Sequence, residues 1–546
     1  MAVTDTRPDT TAEGAPDAPA TPRPDPVVAA LGSGDHKVVG RLYLVFALVL
    51  ALAVTFVTTT LGYERIDQSG FDLYATDTYF QVSTLTATST VFLVLLRCCS
   101  ASPCTVVPLQ IELGASATRP RRRRSGATWS RARWSWPATP STAVPAGATP
   151  WRSTSGSSRS ASSSPPCCWR PSACSRRSSS TARRMSLFRV PLFTWSMLVA
   201  GAVWLLTLPV LLGALVLAYV DHRYGRLVFG NFDIWFYVHW TLRAPQVYAY
   251  AIPAVGIIAE IVAVMGGVRQ GRHRVMMALI GFFGAMGVGA YTVTAYTPGH
   301  DLYDDWMWIV MGIAVVLPLL GLVGGWADTV RRGRPRLHSS LLFAVVAVLL
   351  LLVGAVAGAA AVIEPFELVG TTWQQGQAQL VVFGTFVAAL AGIFYWAPKI
   401  GGRPLGEGFG RLTALVFFGG VLLLAGGNLA AGFPDQVDHL LVSTQEGFTG
   451  VVEVDDTVEI ANGASMVGAA VVTLGSFLVL ANVLASYLGR RDEDPGDDPW
   501  GGHTLEWATA SPPPRDNFDE VAMVTSPAPL LDEREPAGDE EEGDDR

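Results

Sequence analysis

The amino-acid sequence predicts an all-α protein that crosses a membrane many times. Half of the 546 residues are hydrophobic and only 16% are charged, and the mean hydropathy is +0.34. A soluble protein of this length carries more charge. Apolar runs of about 20 residues, the length needed to cross the hydrocarbon core, recur along the chain. The loops between these runs alternate in charge, as in polytopic membrane proteins.

Ten stretches are candidate membrane spans. The second of them starts near Leu85 and is expected to end at Arg97, where the apolar run stops. The ten candidates lie near Val39–Leu61, Leu85–Arg97, Leu192–Val220, Pro245–Val268, Met276–Tyr296, Trp306–Trp326, Leu341–Ile363, Leu380–Ala397, Leu412–Ala431 and Met466–Leu488.

The two ends of the chain are predicted to be disordered and cytoplasmic. Residues 1–34 contain no apolar stretch of the kind found in a signal peptide, and residues 489–546 form an acidic tail. The loops at Arg269–Arg274, Arg331–Arg336 and Lys399–Arg411 are basic, and the loops between them are acidic or neutral. By the positive-inside rule the basic loops face the cytoplasm, as do both termini of a plasma-membrane protein.

Residues 98–184 differ from the rest of the chain. They hold all six Cys, are rich in Ser and Arg, and include one acid, Glu112. Three interpretations are open: a basic cytoplasmic loop that binds nucleic acid or anionic lipid, a Cys metal site, and translation out of frame. Cysteines that are not accompanied by His or acidic residues are weak evidence for a zinc site. We favour the third, with Cys98–Thr105 and Glu112–Arg184 out of frame around the island Val106–Ile111.

Several motifs occur in an order that resembles one known family. Asp35–Lys37 and Gly40–Tyr43 match a DHKxxGxLY pattern, and Ser186–Ser196 is similar to MTLFRMPLFTWS. Further matches are Ile252–Ile258 within a sixth helix, Phe394–Lys399 with FYWFPK, and Ala431–Pro434 with AGMP. These motifs resemble heme-copper oxidase subunit I, the catalytic subunit of cytochrome c oxidase.

The resemblance implies a bundle of 12 transmembrane helices. Helices 1 and 2 would lie in residues 35–97 and helices 5 to 12 in residues 185–488, with helices 3 and 4 disrupted in 98–184. It also implies two hemes and a copper ion held by His, the usual neutral donor. The positions that correspond to the heme ligands are Thr86, Gln377 and Gln379, and those of the copper ligands are Ala244, Val293 and Thr294.

The residues that support the cofactors in the family also differ here. The Arg pair that binds the heme propionates corresponds to Asp435 and Gln436, and the proton-carrying Glu to Gln246, while Tyr248 is kept. The eight His are predicted to lie in loops, tails or interfaces. We therefore predict no heme and no copper.

Three polar features remain as candidates. Because Gln377 and Gln379 are two residues apart, they do not share a helix face, and we expect their amides to bond across helices. Glu260 is an acid inside a membrane span, which makes it a functional candidate; the alternative is a pair with a polar residue of a neighbouring helix. Gly354 and Gly358 are expected to form a packing face.

Several functions follow as hypotheses, and whether the chain is an enzyme stays open. The first is a non-catalytic homologue of the oxidase subunit that acts in the structure or assembly of a respiratory complex. The second is a working oxidase that reduces oxygen to water and pumps protons. The third is a proton or small-molecule pathway around Glu260 and the glutamines, and the fourth is a decaying gene. The expected partners are membrane lipid and other oxidase-type subunits, and no nucleic acid.

Overall fold

The computed structural model describes residues 35–66, 73–111, 187–224, 247–289, 310, 313–434, 436, 456–489 and, with short gaps, 496–534. In these residues all regular structure is helical. The main helices are α1 His36–Glu64, α2 Thr76–Ser89, α3 Leu96–Gln110, α4 Leu192–Tyr224, α5 Val247–Gly266, α6 His273–Gly289, α7 Val316–Arg332, α8 Ser339–Ala360, α9 Thr372–Gly401, α10 Glu407–Gly432, α11 Asp456–Leu488 and the short α12 Pro529–Arg534.

Eight helices in the described part of the chain are long and apolar enough to cross a membrane. They correspond to eight of the ten predicted spans. The other two predictions, Met276–Tyr296 and Trp306–Trp326, overlap α6 and α7 and also run into residues outside the described ranges. The prediction of an all-α, multi-pass membrane protein is confirmed.

Two helices, α5 and α9, form the centre of the bundle. The apolar stretches of both are entirely buried, whereas only 18% of the corresponding stretch of α4 is buried. The outer helices therefore present their apolar side chains to lipid, and α5 and α9 present theirs to other helices. Side chains on α5 and α9 are consequently the ones that line the interior of the bundle.

Prolines inside helices create contacts between helices. A proline has no backbone N–H, so the carbonyl four residues earlier loses its helical partner. Pro253 frees the carbonyl of Ala249, which accepts a hydrogen bond from Nε1 of Trp204 at 3.1 Å. Pro108 frees the carbonyl of Cys104, which lies 2.9 Å from Nδ1 of His36. Each break in one helix thus becomes a bond to another.

The second span continues beyond Arg97, where the prediction of its end was wrong. A π-helical turn, Thr90–Leu95, joins α2 directly to α3, and the candidate span runs over Gln81–Gln110. Cys98 and Cys99 are buried in it. Small residues such as Cys, Ser and Ala permit this burial even though the segment lacks a clear apolar period. The hypothesis that Cys98–Thr105 is out of frame stays a prediction.

The predicted disordered tail is also wrong for much of its length. Residues 496–514 and 526–534, which we call the C-terminal segment, are folded against the bundle. Trp500 Nε1 donates to the carbonyl of Tyr395 at 2.8 Å, and Trp507 Nε1 donates to the hydroxyl of the same residue at 3.0 Å. The aromatic side chains within the acidic tail give it enough apolar surface to dock.

The remaining domain predictions lie outside the described residues. These are the leader 1–34 and the part of the anomalous segment from residue 112 to its end at residue 184, in which the family's third and fourth helices would lie.

Candidate functional site

The two glutamines of α9 point to opposite sides of that helix, as predicted. On one side Gln377 is 1% exposed. Its Nε2 donates to the hydroxyl of Tyr248 on α5 at 2.9 Å, and that hydroxyl donates to the carbonyl of Gly354 on α8 at 3.2 Å. Three helices are thereby tied together at the position where the family resemblance implies a heme ligand. We call this side of α9 the closed face.

Gly358 permits the close approach on the closed face. A Cβ at this position would lie 3.0 Å from the Tyr248 hydroxyl and 3.2 Å from Nε2 of Gln377. Gly354, one turn earlier, packs against Leu380 and Val381. The prediction that the two glycines form a packing face is confirmed.

On the other side of α9, Gln379 faces a cavity of about 170 Å³. Thr86 of α2 lines the same cavity, together with side chains from α1, α10 and α11. Gln379 Oε1 accepts a hydrogen bond from Nδ2 of Asn428 at 2.7 Å, and the Thr86 hydroxyl donates to the carbonyl of Val82 at 2.6 Å. We call this side the open face. The expectation that the amides bond across helices is confirmed on both faces.

One cation lies at the rim of this cavity. Nη1 of Arg65 donates to Oδ1 of Asn428 at 3.0 Å and approaches Oε1 of Gln375 at 3.4 Å. Asn428 thus connects Arg65 to Gln379. Arg65, Gln379 and Asn428 are therefore engaged with one another, and Thr86 with the backbone of its own helix.

The family resemblance implies a heme between Thr86 and Gln379 on the open face, but the donors present there do not fit one. Thr86 and Gln379 line one cavity, as two axial ligands would, yet a hydroxyl and an amide stand where imidazoles are needed. At the closed face Gln377 is bonded to Tyr248 through its nitrogen, and its Oε1 has no hydrogen-bond partner among the described residues. An amide oxygen is a weak donor for heme iron.

The copper positions and two others fall outside the described residues. These are Ala244, Gln246, Val293, Thr294 and Asp435. Alanine and valine carry no donor atom. Gln436 is described: its carbonyl accepts from the N–H of Thr372 at 2.8 Å, and its buried amide atoms have no partner in the described ranges. No group of three or more His, Cys, Asp or Glu in those ranges is arranged to hold a metal ion.

The described His side chains lie at helix ends, as predicted. His36 and His273 are the first residues of α1 and α6, His338 precedes α8, and His503 lies in the C-terminal segment. None of them lines the cavity beside Gln379. Burial, together with the charges of the nearby Arg534 and Arg269, lowers the pKa of His503 to about 4.

Among the described residues, Glu260 bonds to the C-terminal segment and not to a polar residue of a neighbouring helix. Its Oε1 accepts a hydrogen bond from the hydroxyl of Thr504, in the C-terminal segment, at 2.8 Å. Six residues, roughly 9 Å of helix, separate Glu260 from the end of α5 at Gly266. Glu260 therefore lies near one end of its span and apart from the glutamines.

The C-terminal segment brings a second buried acid to this place, and the sequence prediction missed it. Glu506 is 0% exposed, and its Oε1 accepts from Nε2 of Gln110 at 3.0 Å and from Nε1 of Trp396 at 3.3 Å. The signal was present in the sequence: Trp500, Leu505 and Trp507 are unusual in a segment predicted to be disordered.

Comparisons with known proteins support the family. A family described as cytochrome c and quinol oxidase polypeptide I matches residues 176–471, which is more than half of the chain and does not include residues 35–96. Cytochrome c oxidase subunit 1 of Bacillus subtilis is 29% identical over 369 residues, covering 64% of this chain and 56% of that protein. The subunit of the same name from Corynebacterium diphtheriae is 27% identical over 366 residues, covering 64% and 61%.

The chain thus spans about three fifths of the length of these relatives. Among solved structures, a cryo-EM structure of a heme-copper terminal oxidase dimer is similar with a TM-score of 0.46 and 14% identity, over 63% of this chain and 62% of that one. Because the family match extends over more than half of its residues, the chain belongs to the cytochrome c and quinol oxidase polypeptide I family.

Proposed function

We propose that this chain is a member of the family that binds neither heme nor copper and serves in the structure or assembly of a respiratory membrane complex. The observation that carries the proposal is the hydrogen bond from Gln377 to Tyr248. It joins α9 to α5 directly at a position where the family resemblance implies an iron ligand. A side chain that holds the helices together there replaces the contact that a cofactor would make.

The substitutions favour retained packing without retained metal binding. Thr86, Gln377 and Gln379 each make a hydrogen bond within the described residues. A hydrogen bond between membrane helices contributes about 0.6 kcal/mol on average. Such contacts stabilise a bundle and do not transfer electrons.

The proposed partners are other oxidase-type membrane subunits and lipid. The relatives are named subunit 1, which describes one part of a larger assembly. The contacts of the C-terminal segment with the start of α1 place both ends of the described chain at one side of the bundle. The basic loops at Arg269, Arg336 and Lys399 lie at that same side, which we assign to the cytoplasm by the positive-inside rule.

The deciding experiment is to purify the full-length protein from membranes and measure heme and copper per polypeptide, with a reduced-minus-oxidised absorption spectrum. The Bacillus subtilis relative, purified in parallel, is the positive control for cofactor retention. We expect no Soret band and no copper in this protein. Peptide mapping of the same sample across residues 98–184 tests the reading frame and excludes a decayed gene.

The second candidate is an active oxidase, and membership of the family is the observation that favours it. Two hemes and copper per polypeptide, together with oxygen consumption, would establish it and refute the first proposal. The third candidate, a pathway through Glu260 and the glutamines, has less support because Glu260 bonds to Thr504 while the glutamines bond to Tyr248 and Asn428.

A further inference from the structure

Two buried acids meet where the C-terminal segment docks on α5. Glu260 is 6% exposed and Glu506 is 0% exposed. The Thr504 hydroxyl donates to Oε1 of Glu260 at 2.8 Å, and Thr504 is two residues from Glu506 in the chain. A hydroxyl carries one proton and can donate to only one carboxylate at a time. Thr504 alone therefore cannot satisfy two ionised groups.

The other hydrogen-bond donors around the pair are neutral. Gln110 and Trp396 both donate to Oε1 of Glu506, and Gln110 in turn accepts from the Thr194 hydroxyl at 2.6 Å. Oε2 of Glu506 is buried and has no hydrogen-bond partner in the described part of the chain. No salt bridge to either acid occurs among the described residues.

The charged and titratable groups nearby make their hydrogen bonds and ion pairs with residues other than the two acids. Lys399 of α9 donates to the carbonyl of Thr509 and lies 5.4 Å from the centre of the Trp507 ring. The Tyr395 hydroxyl, also on α9, accepts from Trp507. Asp498 pairs with Arg534 at 2.6 Å. The α3 and α4 groups that contact the network, Gln110 and Thr194, carry no charge.

Two ionised carboxylates in such a place would repel each other, and Lys399, whose charge interacts with Glu506, can offset only one of the two negative charges. Burial raises the pKa of Glu506, and hydrogen bonds from Gln110, Thr504 and Trp396 oppose part of that rise. A single proton on the pair removes the repulsion. It also supplies a second hydrogen-bond donor, which is what the buried Oε2 of Glu506 lacks.

We propose that Glu260 and Glu506 form a proton-binding site, in which one shared proton holds the C-terminal segment against α5. The site exists only when both acids are together, because Glu260 lies on α5 and Glu506 lies in the C-terminal segment. When the segment leaves, both acids reach water and ionise. The proposal is independent of whether the protein binds heme or copper.

The sign of the pH dependence follows from proton counting. The docked pair holds one proton more than the undocked pair wherever free Glu is ionised, so docking weakens as pH rises. His503 acts in the opposite direction: with a pKa of about 4 it is neutral when docked and takes up a proton on release below about pH 6.5. The two effects cancel below about pH 6.5, and above it docking weakens about tenfold per pH unit for as long as Lys399, buried beneath the segment, keeps its proton.

Hydrogen exchange tests this in the full-length protein reconstituted in lipid nanodiscs. Mass spectrometry would follow the amides of residues 500–510 from about pH 5.5 to about pH 9, with each rate corrected for the intrinsic rate at that pH. We expect protection of the wild type to fall about tenfold per pH unit above about pH 6.5. In Glu260→Gln and in Glu506→Gln the decline should end at a lower pH than in the wild type, because the remaining carboxyl has no negatively charged neighbour and ionises more readily.

Glu459→Gln is the matched control, since Glu459 is exposed at the start of α11 and should leave the wild-type profile unchanged. The wild-type titration requires no substitution, so a variant that fails to fold does not remove the test. Constant protection of the wild type, or an unchanged decline in both Gln variants, would overturn the proposal. So would recovery of protection at high pH on adding Ca²⁺, because the pair would then hold a metal cation.

Discussion

The closed and open faces of α9 each carry a glutamine where the family resemblance implies a heme ligand, with opposite structural results. On the closed face, Gln377 reaches Tyr248, and Gly358 lets the helices approach until little space remains. On the open face, Gln379 reaches only Asn428 at the wall, and a cavity of about 170 Å³ persists. The difference indicates that a glutamine closes the space beside α9 only where a neighbouring helix packs closely against it.

The largest expected effect comes from adding volume to the closed face. Gly358→Leu should destabilise the protein by about 3 kcal/mol, because its side chain would occupy the space taken by Tyr248 and Gln377. Thermal unfolding in detergent measures the loss. Gly426→Leu is the control, since no atom lies within 4 Å of a Cβ built at that position. Equal losses in the two variants would contradict the tight packing of the closed face.

A smaller loss of stability is expected from removing the Tyr248 hydroxyl, which joins the three helices. Tyr248→Phe should cost about 1.5 kcal/mol, because Nε2 of Gln377 and the carbonyl of Gly354 lose their shared partner in a buried place. Thermal unfolding again provides the measurement. Tyr250→Phe, two residues further along α5, should change stability little. Its hydroxyl makes no hydrogen bond within the described ranges, and phenylalanine keeps the edge contact of the ring with Phe92. If the two substitutions had the same effect, the hydroxyl bridge would contribute nothing.

The smallest effect, and one of opposite sign, is expected on the open face. Ala378 lines the cavity, and Ala378→Leu should stabilise the protein by about 0.5–1 kcal/mol by filling empty space. The same change at the fully buried Ala388 of α9 should be destabilising instead. A loss of stability with Ala378→Leu would mean that the cavity is occupied in the membrane.

The helix positions and the division between the two faces were predictable from the sequence. Eight spans follow from apolar length alone, and the separation of Gln377 from Gln379 follows from the period of the α-helix. Which partner each amide takes was not predictable. That choice depends on how closely α5, α8 and α10 approach α9, and on the space that Gly358 provides.

The contacts of the C-terminal segment were beyond what local patterns reveal. The prediction of disorder was based on the average acidic composition of the whole tail. Docking depends instead on the contacts of two residues, Trp500 and Trp507, with Tyr395. The end of the second span was missed for a related reason. Cys, Ser and Pro in α3 have low helix propensity, and tertiary contacts such as the one from His36 to the freed carbonyl of Cys104 compensate for it.

The bond between the two ends of the chain has a consequence for its synthesis. Lys37, at the start of the first helix, donates to the carbonyl of Pro514 at 2.9 Å and to Oδ1 of Asn517 at 2.8 Å. At a translation rate of about 5–20 residues per second, the 480 residues between Lys37 and Asn517 take roughly 24–96 seconds to emerge. Lys37 therefore makes these two hydrogen bonds only after every described membrane span has been synthesised.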